Sequence, residues 1–405
     1  MTYIQKGTPQ FRKTSLAMFA GGFCTFAILY CLQPLMPEFS KQFGVSPATA
    51  SLSLSVTTVA MAVTMLFVSA LSDAKGRKSI MGCSLGGAAL IALLLTFSPS
   101  FGQLLALRIL QGVVLAGLPA VAMTYLSEEV DPHSLGYAMG LYISGNSVGG
   151  MGGRIVTGMV ADFFDWRLAV GAIAALSIGA VVLFWRWLPA SRNFQKRKYE
   201  LRGIVKALLS QCRNPRLLCL YGLGFVLMGC FVTLYNYISY RLIDPPFSLS
   251  QALVGWIFIV YLTGTISSTW MGRLADLYGR YAVMSIALLL ILAGGLLTLS
   301  SSLLAIVVGI SLLTFGFFGG HSIASSWIGI AATEHKAQAS SLYLFFYYLG
   351  SSVSGTVGGI FYAHYGWSGV IAMIAVYMAV GLILSGALRH MGRNDRADHS
   401  SRMVG

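Results

Sequence analysis

Uncharged apolar runs alternate with short polar segments along almost the whole chain. From Lys13 to Glu38 there are 24 intervening residues without Asp, Glu, Lys or Arg, and from Lys41 to Asp73 there are 31. Because a helix rising 1.5 Å per residue crosses about 30 Å of hydrocarbon in roughly 20 residues, each run predicts one membrane-spanning helix. The runs from Arg280 to Glu334 and from Lys336 to Arg389 hold 53 and 52 residues, and each predicts two helices.

Twelve spans result, and an even number places both termini on one side of the membrane. The predicted helices lie near residues 14–37, 47–72, 78–98, 102–127, 134–161, 168–188, 215–240, 250–273, 280–299, 303–327, 337–363 and 368–388.

Composition supports this pattern. The chain is 56% hydrophobic and 10% charged, with a mean hydropathy of +0.74. A soluble domain carries about 25% charged residues, and a disordered one has low hydrophobicity, so both classes are excluded. The six cysteines form no CxxC pair and are expected to be buried apolar residues rather than disulfides or metal ligands.

The net charge of +14 is explained by where the basic residues lie. The face that carries the termini has 22 of them, and the opposite face has three, which are Lys41, Arg167 and Arg241. The positive-inside rule therefore predicts cytoplasmic termini. Nine basic residues between Arg186 and Arg216 are expected to be a tether near anionic lipid rather than a site for a specific partner. No nucleic-acid partner is expected.

The chain contains an internal duplication. Residues 71–77 align with residues 274–280 at an offset of 203, and a glycine pattern in 145–155 aligns with 350–360 at an offset of 205. We therefore predict an N-terminal six-helix bundle over residues 1–190, a cytoplasmic central loop over 191–213 and a C-terminal six-helix bundle over 214–405. Two bundles of equal orientation predict a central cavity near the membrane midplane, and rocking of the bundles around it.

The loop after the second predicted helix, S-A-L-S-D-A-K-G-R-K from Ser69 to Lys78, resembles the signature loop of the major facilitator superfamily. Its pattern is G-x-x-x-D-x-x-G-R-K/R; Ser69 replaces the first Gly, which is present in the second copy, residues 272–280. The resemblance implies a twelve-helix fold of the drug:proton antiporter type and a cytoplasmic latch. Its predicted residues are Asp73, Gly76, Arg77, Asp276, Gly279 and Arg280, with Glu128 and Glu129 as candidate partners of Arg77. The alternative is a generic basic turn with solvated acids.

Two arginines lie inside predicted helices, where a charge is costly unless it faces a partner or a cavity. Arg108 belongs to an L-R-x-x-Q-G segment that resembles one of this family, and the resemblance implies a part in proton coupling. The alternative is that Arg108 snorkels to the interface. Arg154 follows a glycine-rich stretch and is either a cavity or gating charge, or a structural partner of Asp162 or Asp165. The Gly-Pro pair of the antiporter signature is absent from this helix, which weakens an antiport assignment.

Polar and aromatic residues recur at mid-span positions. Each Tyr taken alone could equally be a residue at the membrane–water interface. Taken together, these polar and aromatic residues predict a substrate cavity. Its predicted residues are Tyr30, Gln33, Tyr142, Asn146, Arg154, Asn236, His321, Tyr343 and Tyr347. His321 is either a proton carrier for coupling or a hydrogen-bonded packing residue.

All 13 acidic residues fall outside the centres of the predicted helices, whereas Arg108 and Arg154 lie within them. This placement predicts a neutral or anionic small-molecule substrate rather than a lipophilic cation. No P-loop, H-E-x-x-H or G-x-S-x-G motif occurs, so the chain is expected to be neither an ATP-driven pump of that class nor an enzyme, and no cofactor or metal is expected.

The sequence predicts an all-α, multi-pass, monomeric protein in contact with membrane lipid, and the family resemblance implies that it is a transporter of a bacterial inner membrane. Proton-coupled efflux is the favoured activity. Uptake by a symporter or facilitator for a sugar or organic anion is the alternative of the same fold, and a non-transporting scaffold or sensor is the alternative of another class.

Overall fold

The computed structural model describes residues 3–194 and 201–404, and helices account for nearly all of them. In the first half they are α1 (Pro9–Tyr30), α2 (Met36–Phe43), α3 (Pro47–Lys75), α4 (Arg77–Leu95), α5 (Phe101–Leu115), α6 (Gly117–Glu129), α7 (Leu135–Phe163) and α8 (Trp166–Trp187). In the second half they are α9 (Leu201–Gln211), α10 (Pro215–Ile243), α11 (Gln251–Ile257), α12 (Tyr261–Tyr278), α13 (Arg280–Leu297), α14 (Leu303–Ala331) and α15 (Lys336–Val404).

The twelve predicted spans are present among the described residues. Ten stretches are long and apolar enough to cross a membrane, and the last of them, Lys336–Met391, has 56 residues. Gly366, at φ 61° and ψ −150°, interrupts α15 within that stretch, so it holds two spans. The 29-residue α7, which its glycines make less apolar, supplies the twelfth.

Three spans are composed of two helices each, where the sequence predicted one continuous helix. Span 1 passes from α1 through a 3-10 turn, Gln33–Leu35, into α2. Pro34 and Pro37 lack the N–H that a continuous helix needs, which accounts for the break. Span 4 is α5 and α6, and span 8 is α11 and α12 joined by the 3-10 turn Phe258–Val260.

The chain forms two compact units. Unit 1 comprises Met1–Leu201 together with Ile238–Ile259, and unit 2 comprises Arg202–Tyr237 together with Val260–Gly405. The end of α10 and all of α11 therefore pack with the first six spans. Below, the terminal face of unit 1 is the side where α1 begins and α3, α6 and α8 end. The terminal face of unit 2 is defined separately, as the side where α10 begins and α12 and α14 end, and the opposite face of each unit is its other side.

Close contact between α1 and α7 forms the centre of unit 1. Cβ atoms added at Gly145 and Gly149 would overlap the backbone carbonyls of Phe19 and Phe23. Glycine therefore permits a backbone approach that any side chain would prevent, as expected for helices packed in lipid.

Candidate gate and transport site

The predicted latch is assembled on the terminal face of unit 1. The positive φ of Gly76 (101°) turns the chain sharply between α3 and α4, and Arg77 is the first residue of α4. Arg77 donates from Nε to Glu128 Oε2 (3.1 Å) and from Nη2 to Glu128 Oε1 (2.7 Å). It also pairs with Asp73 and donates to the Ser72 hydroxyl. The Arg77 residue is only 6% exposed, so this forked pair is better protected from water than an ordinary surface ion pair.

Glu129, the second candidate partner of Arg77, has a different role in the structure. It is buried, and its Oε1 accepts hydrogen bonds from the backbone N–H groups of Arg192 (2.7 Å) and Asn193 (2.8 Å). Its backbone carbonyl accepts from the N–H of Ile4 (2.8 Å). Glu129 therefore anchors both the N-terminal segment and the beginning of the central loop at the end of α6.

The second copy of the loop has the same turn but a weaker ion pair. Gly279 has φ 89°, and the Arg280 Nη2 atom lies 3.5 Å from Asp276 Oδ1. The Asp276 side chain is 74% exposed. Exposed pairs of this kind contribute little to stability, so the latch of unit 1 is the stronger of the two.

Arg108 is fully buried and holds the break in span 1. Its Nε donates to the Ser53 carbonyl (2.7 Å), Nη1 to the Ile28 carbonyl (3.2 Å), and Nη2 to the Leu29 carbonyl (2.8 Å). A further bond runs from Nη1 to Gln111 Oε1 (2.6 Å). Carbonyls in the last turn of a helix lack intrahelical partners, and the helix dipole favours a cation there. Arg108 therefore caps the end of α1 from a neighbouring helix, rather than snorkelling to the surface.

Arg154 lies against the other side of the same break. Its Nε donates to Gln33 Oε1 (2.6 Å) and its Nη1 to the Gly150 carbonyl (2.5 Å). The guanidinium carbon stands 4.1 Å from the centroid of the Tyr30 ring and 4.9 Å from that of Phe258. Cation–π contacts of this kind are strongest when they are desolvated, and Arg154 is 1% exposed. Arg154 thus contacts Gln33, the Gly150 carbonyl and these two rings. Of the acids considered from the sequence, Asp162 accepts from the N–H of Gln251 and Asp165 from the N–H of Leu168.

Residues 238–259 pack against the break in span 1 and against α7 at the opposite face of unit 1. The Tyr240 hydroxyl donates to the Met36 carbonyl (2.8 Å), and the backbone N–H of Gln251 donates to Asp162 Oδ1 (3.0 Å). A Cβ added at Gly158 would stand 3.0 Å from the Cα of Gly255, so two glycines let α7 and α11 approach closely. Together with Phe258 on Arg154, these contacts form a seal over the break in span 1.

Neither the contact between α7 and α11 nor the position of Phe258 on Arg154 was predicted from the sequence. Periodicity describes each helix by itself and carries no information on which helix lies across from which. The sequence signal that could have indicated the contact between α7 and α11 is a glycine in each of them, Gly158 and Gly255.

The remaining predicted cavity residues lie in two separate groups. In unit 1, Tyr142 is buried and the side chain of Asn146 lies against Gly22 of α1. In unit 2, His321 Nδ1 is 2.9 Å from the Tyr343 hydroxyl, and the Tyr347 ring is 4.6 Å from the His321 ring.

His321 and Tyr347 are partly exposed, whereas Tyr343 is 1% exposed. Asn236, on α10, is fully buried in the same unit. The structure thus joins Tyr30, Gln33 and Arg154 in one cluster, and His321, Tyr343 and Tyr347 in another.

Comparison with known proteins identifies the family. The chain is 52% identical over 388 residues to an uncharacterized MFS-type transporter, YybF, of Bacillus subtilis, covering 96% of each chain. It is 47% identical over 382 residues to the inner membrane transport protein YnfM of Escherichia coli, covering 94% of this chain and 92% of that one.

A solved structure of a bacterial homologue of the human lysosomal transporter Spinster, inward-facing and unoccupied, has the same fold. Its TM-score is 0.76 at 16% identity, over 95% of this chain and 98% of that one. The Major Facilitator Superfamily profile matches residues 18–244 and 237–402. The resemblance inferred from the repeated loop is confirmed, and the chain is a multi-pass membrane protein that belongs to the Major Facilitator Superfamily of transporters.

Proposed function

We propose that this protein is a secondary active transporter of the bacterial inner membrane that exports a small neutral or anionic molecule in exchange for protons. The observation that carries the proposal is the seal that residues 238–259 form over the break in span 1. A segment from the second half of the chain that closes on the first half at one face is what alternating access requires of a gate. With the terminal face in the cytoplasm, the seal is the outer gate and Arg77–Glu128 belongs to the inner latch.

The placement of acids supports the substrate class. Each Asp or Glu whose side chain the structure describes lies in a loop or in the first or last turn of a helix. A cation would need a carboxylate at membrane depth to offset its desolvation, and the described helix centres offer guanidinium groups, a histidine and tyrosines instead. The substrate therefore interacts with hydrogen-bond donors rather than with fixed negative charge.

His321 is the residue we assign to proton coupling. His321 is partly exposed, its ring contacts Tyr343 and Tyr347, and an imidazole can both accept and release a proton. Arg108 is a weaker candidate because its donors already reach three backbone carbonyls and Gln111.

A reversible cross-link tests the gate. Asp162 and Gln251 are in direct contact, so a D162C/Q251C double variant should form a disulfide on oxidation, in a background from which the native cysteines are removed. In proteoliposomes, transport should stop on oxidation and return on reduction, whereas either single variant should transport in both conditions. Undiminished transport by the cross-linked protein would refute the gate.

An imposed pH gradient distinguishes the candidate activities, using a panel of neutral and anionic solutes and dyes. Antiport predicts that substrate addition dissipates the gradient while substrate moves against it. Uptake by symport or facilitation is the second candidate, favoured by the buried positive charge of Arg154 and the missing helix 5 Gly-Pro pair; it predicts co-directional flux or indifference to the gradient. A scaffold or sensor predicts no flux of any solute.

A further inference from the structure

The two halves of the duplicated fold differ at one crevice on the terminal face. In unit 1 this crevice lies between the first turns of α4 and the last turns of α8, and an indole fills it. Trp185 packs against Gly82, where an added Cβ would overlap the ring. The Lys78 ammonium donates to the Trp185 carbonyl (3.0 Å) and lies 5.6 Å from the centroid of its ring.

The equivalent crevice in unit 2 lies between α13 and the last span of α15. The loop repeat, at an offset of 203, pairs Lys78 with Tyr281 and Gly82 with Ser285. The sixth span of each half begins with a buried tryptophan, Trp166 or Trp367. Counting 19 residues onward from each reaches Trp185 in the first half and Gly386 in the second.

Unit 2 has Gly386 at the position where unit 1 has the indole of Trp185, and a cavity lies beside Gly386. Its volume is about 310 Å³, and no described atom lies within 4 Å of the place that a Gly386 Cβ would occupy. The cavity is lined by Tyr278, Tyr281, Ser285, Leu382, Ser385 and Arg389, together with backbone and small residues. This volume is at the lower end of the range for small-molecule sites, so the second half holds an open site where the first half is filled.

The residues that line the cavity favour an anionic ligand that also carries hydroxyl or ester oxygens. Arg389 supplies a guanidinium, which binds phosphate oxygens in a forked geometry. The Ser285 hydroxyl already donates to the Tyr281 carbonyl (2.9 Å), so it is left to accept a hydrogen bond from a ligand. Ser385, 2% exposed, places a second hydroxyl at the wall.

The location of the cavity indicates that this anionic ligand is a lipid. Below it, toward the membrane centre, exposed apolar side chains continue along both helices: Ile286 and Leu289 on α13 and Ile383 on α15. The positive-inside expectation places this face at the inner leaflet, where anionic lipids are concentrated and basic pockets between helices bind their headgroups. We propose that this cavity binds the headgroup of an anionic phospholipid, with its phosphodiester at Arg389 and its acyl chains along the exposed apolar residues.

The duplicated fold supplies the decisive variant. Gly386→Trp places in unit 2 the side chain that already fills the same crevice in unit 1, so it should fold while closing the site. Arg389→Gln removes the phosphate partner, and Arg273→Gln, an exposed arginine on the same face outside the lining, is the matched charge control.

The measurement is native mass spectrometry of the full-length protein, delipidated in detergent, with phosphatidylglycerol, phosphatidylcholine or inorganic phosphate added separately. Wild type and Arg273→Gln should retain one phosphatidylglycerol in preference to phosphatidylcholine. Arg389→Gln should bind it about fivefold more weakly, the loss expected for one basic residue at a membrane surface, and Gly386→Trp should lose it with an unchanged unfolding temperature.

Equal retention by Gly386→Trp and wild type would overturn the proposal, as would displacement of the lipid by an equal concentration of inorganic phosphate. Transport plays no part in the readout, so this result is independent of the proposed transport activity.

Discussion

Replacement of Arg108 distinguishes a structural cap from a coupling residue. In Arg108→Leu the carbonyls of Ser53, Ile28 and Leu29 lose the guanidinium. Ser53 and Ile28 keep a second donor, the Thr57 hydroxyl (3.4 Å) and the Cys31 thiol (3.3 Å), whereas the Leu29 carbonyl in the last turn of α1 depends on Arg108. A buried acceptor left without a partner costs about 1 to 3 kcal/mol, and the Leu29 carbonyl is in that position. The other two carbonyls lose only their charge-assisted bond. This loss is partly offset because an uncompensated buried charge is removed as well.

We expect Arg108→Leu to be destabilised by about 1 to 3 kcal/mol, or between about 5- and 150-fold in the unfolding equilibrium. The assay is equilibrium unfolding of purified protein in mixed micelles. Accessibility of Cys31 to a thiol reagent provides a local readout, because this buried residue follows the end of α1. Its labelling should be faster in the variant, since the break in span 1 is no longer held.

The control is Gln111→Leu, which removes one acceptor of Arg108 and leaves the three backbone contacts in place. It should lose less stability than Arg108→Leu. If Arg108→Leu unfolds like wild type, labels Cys31 at the wild-type rate and yet no longer couples transport to a pH gradient, the capping role is refuted and the coupling role implied by the family resemblance is supported.

Three further outcomes follow from the same structure. Glu129→Ala should expose the Arg192–Asn193 peptide bond to trypsin at least tenfold faster, because buried hydrogen bonds to a charged acceptor each contribute about 1.5 to 3 kcal/mol; unchanged cleavage would contradict the anchoring role. Gly149→Val should prevent accumulation of folded protein while Gly140→Val is tolerated, since only the first Cβ meets a backbone, and size-exclusion profiles compare them. His321→Phe should transport independently of a pH gradient while keeping substrate binding, and gradient-driven flux by this variant would exclude His321 from coupling.

Part of the latch could be predicted from local sequence patterns, and part of it could not. Asp73, Gly76 and Arg77 are close in sequence, so the turn and the i,i+4 ion pair could be predicted from the motif alone. The choice between Glu128 and Glu129 could not be, because adjacent residues on a helix point about 100° apart. Which of them meets Arg77 depends on how α6 is rotated against α4, and that rotation is set by packing.

The sequence by itself determined the class of molecule, the twelve spans, the duplication and the family. The length of hydrophobic runs and the repetition of motifs depend only on the order of residues along the chain, so they can be recognised without knowing how the helices pack. Tertiary structure decided the roles of the two membrane arginines and of residues 238–259. Arg108 and Arg154 are similar in sequence context, and both are cations inside apolar helices. Their partners on other helices lie 55 to 124 positions away, and contacts at such separations are fixed only when the helices pack.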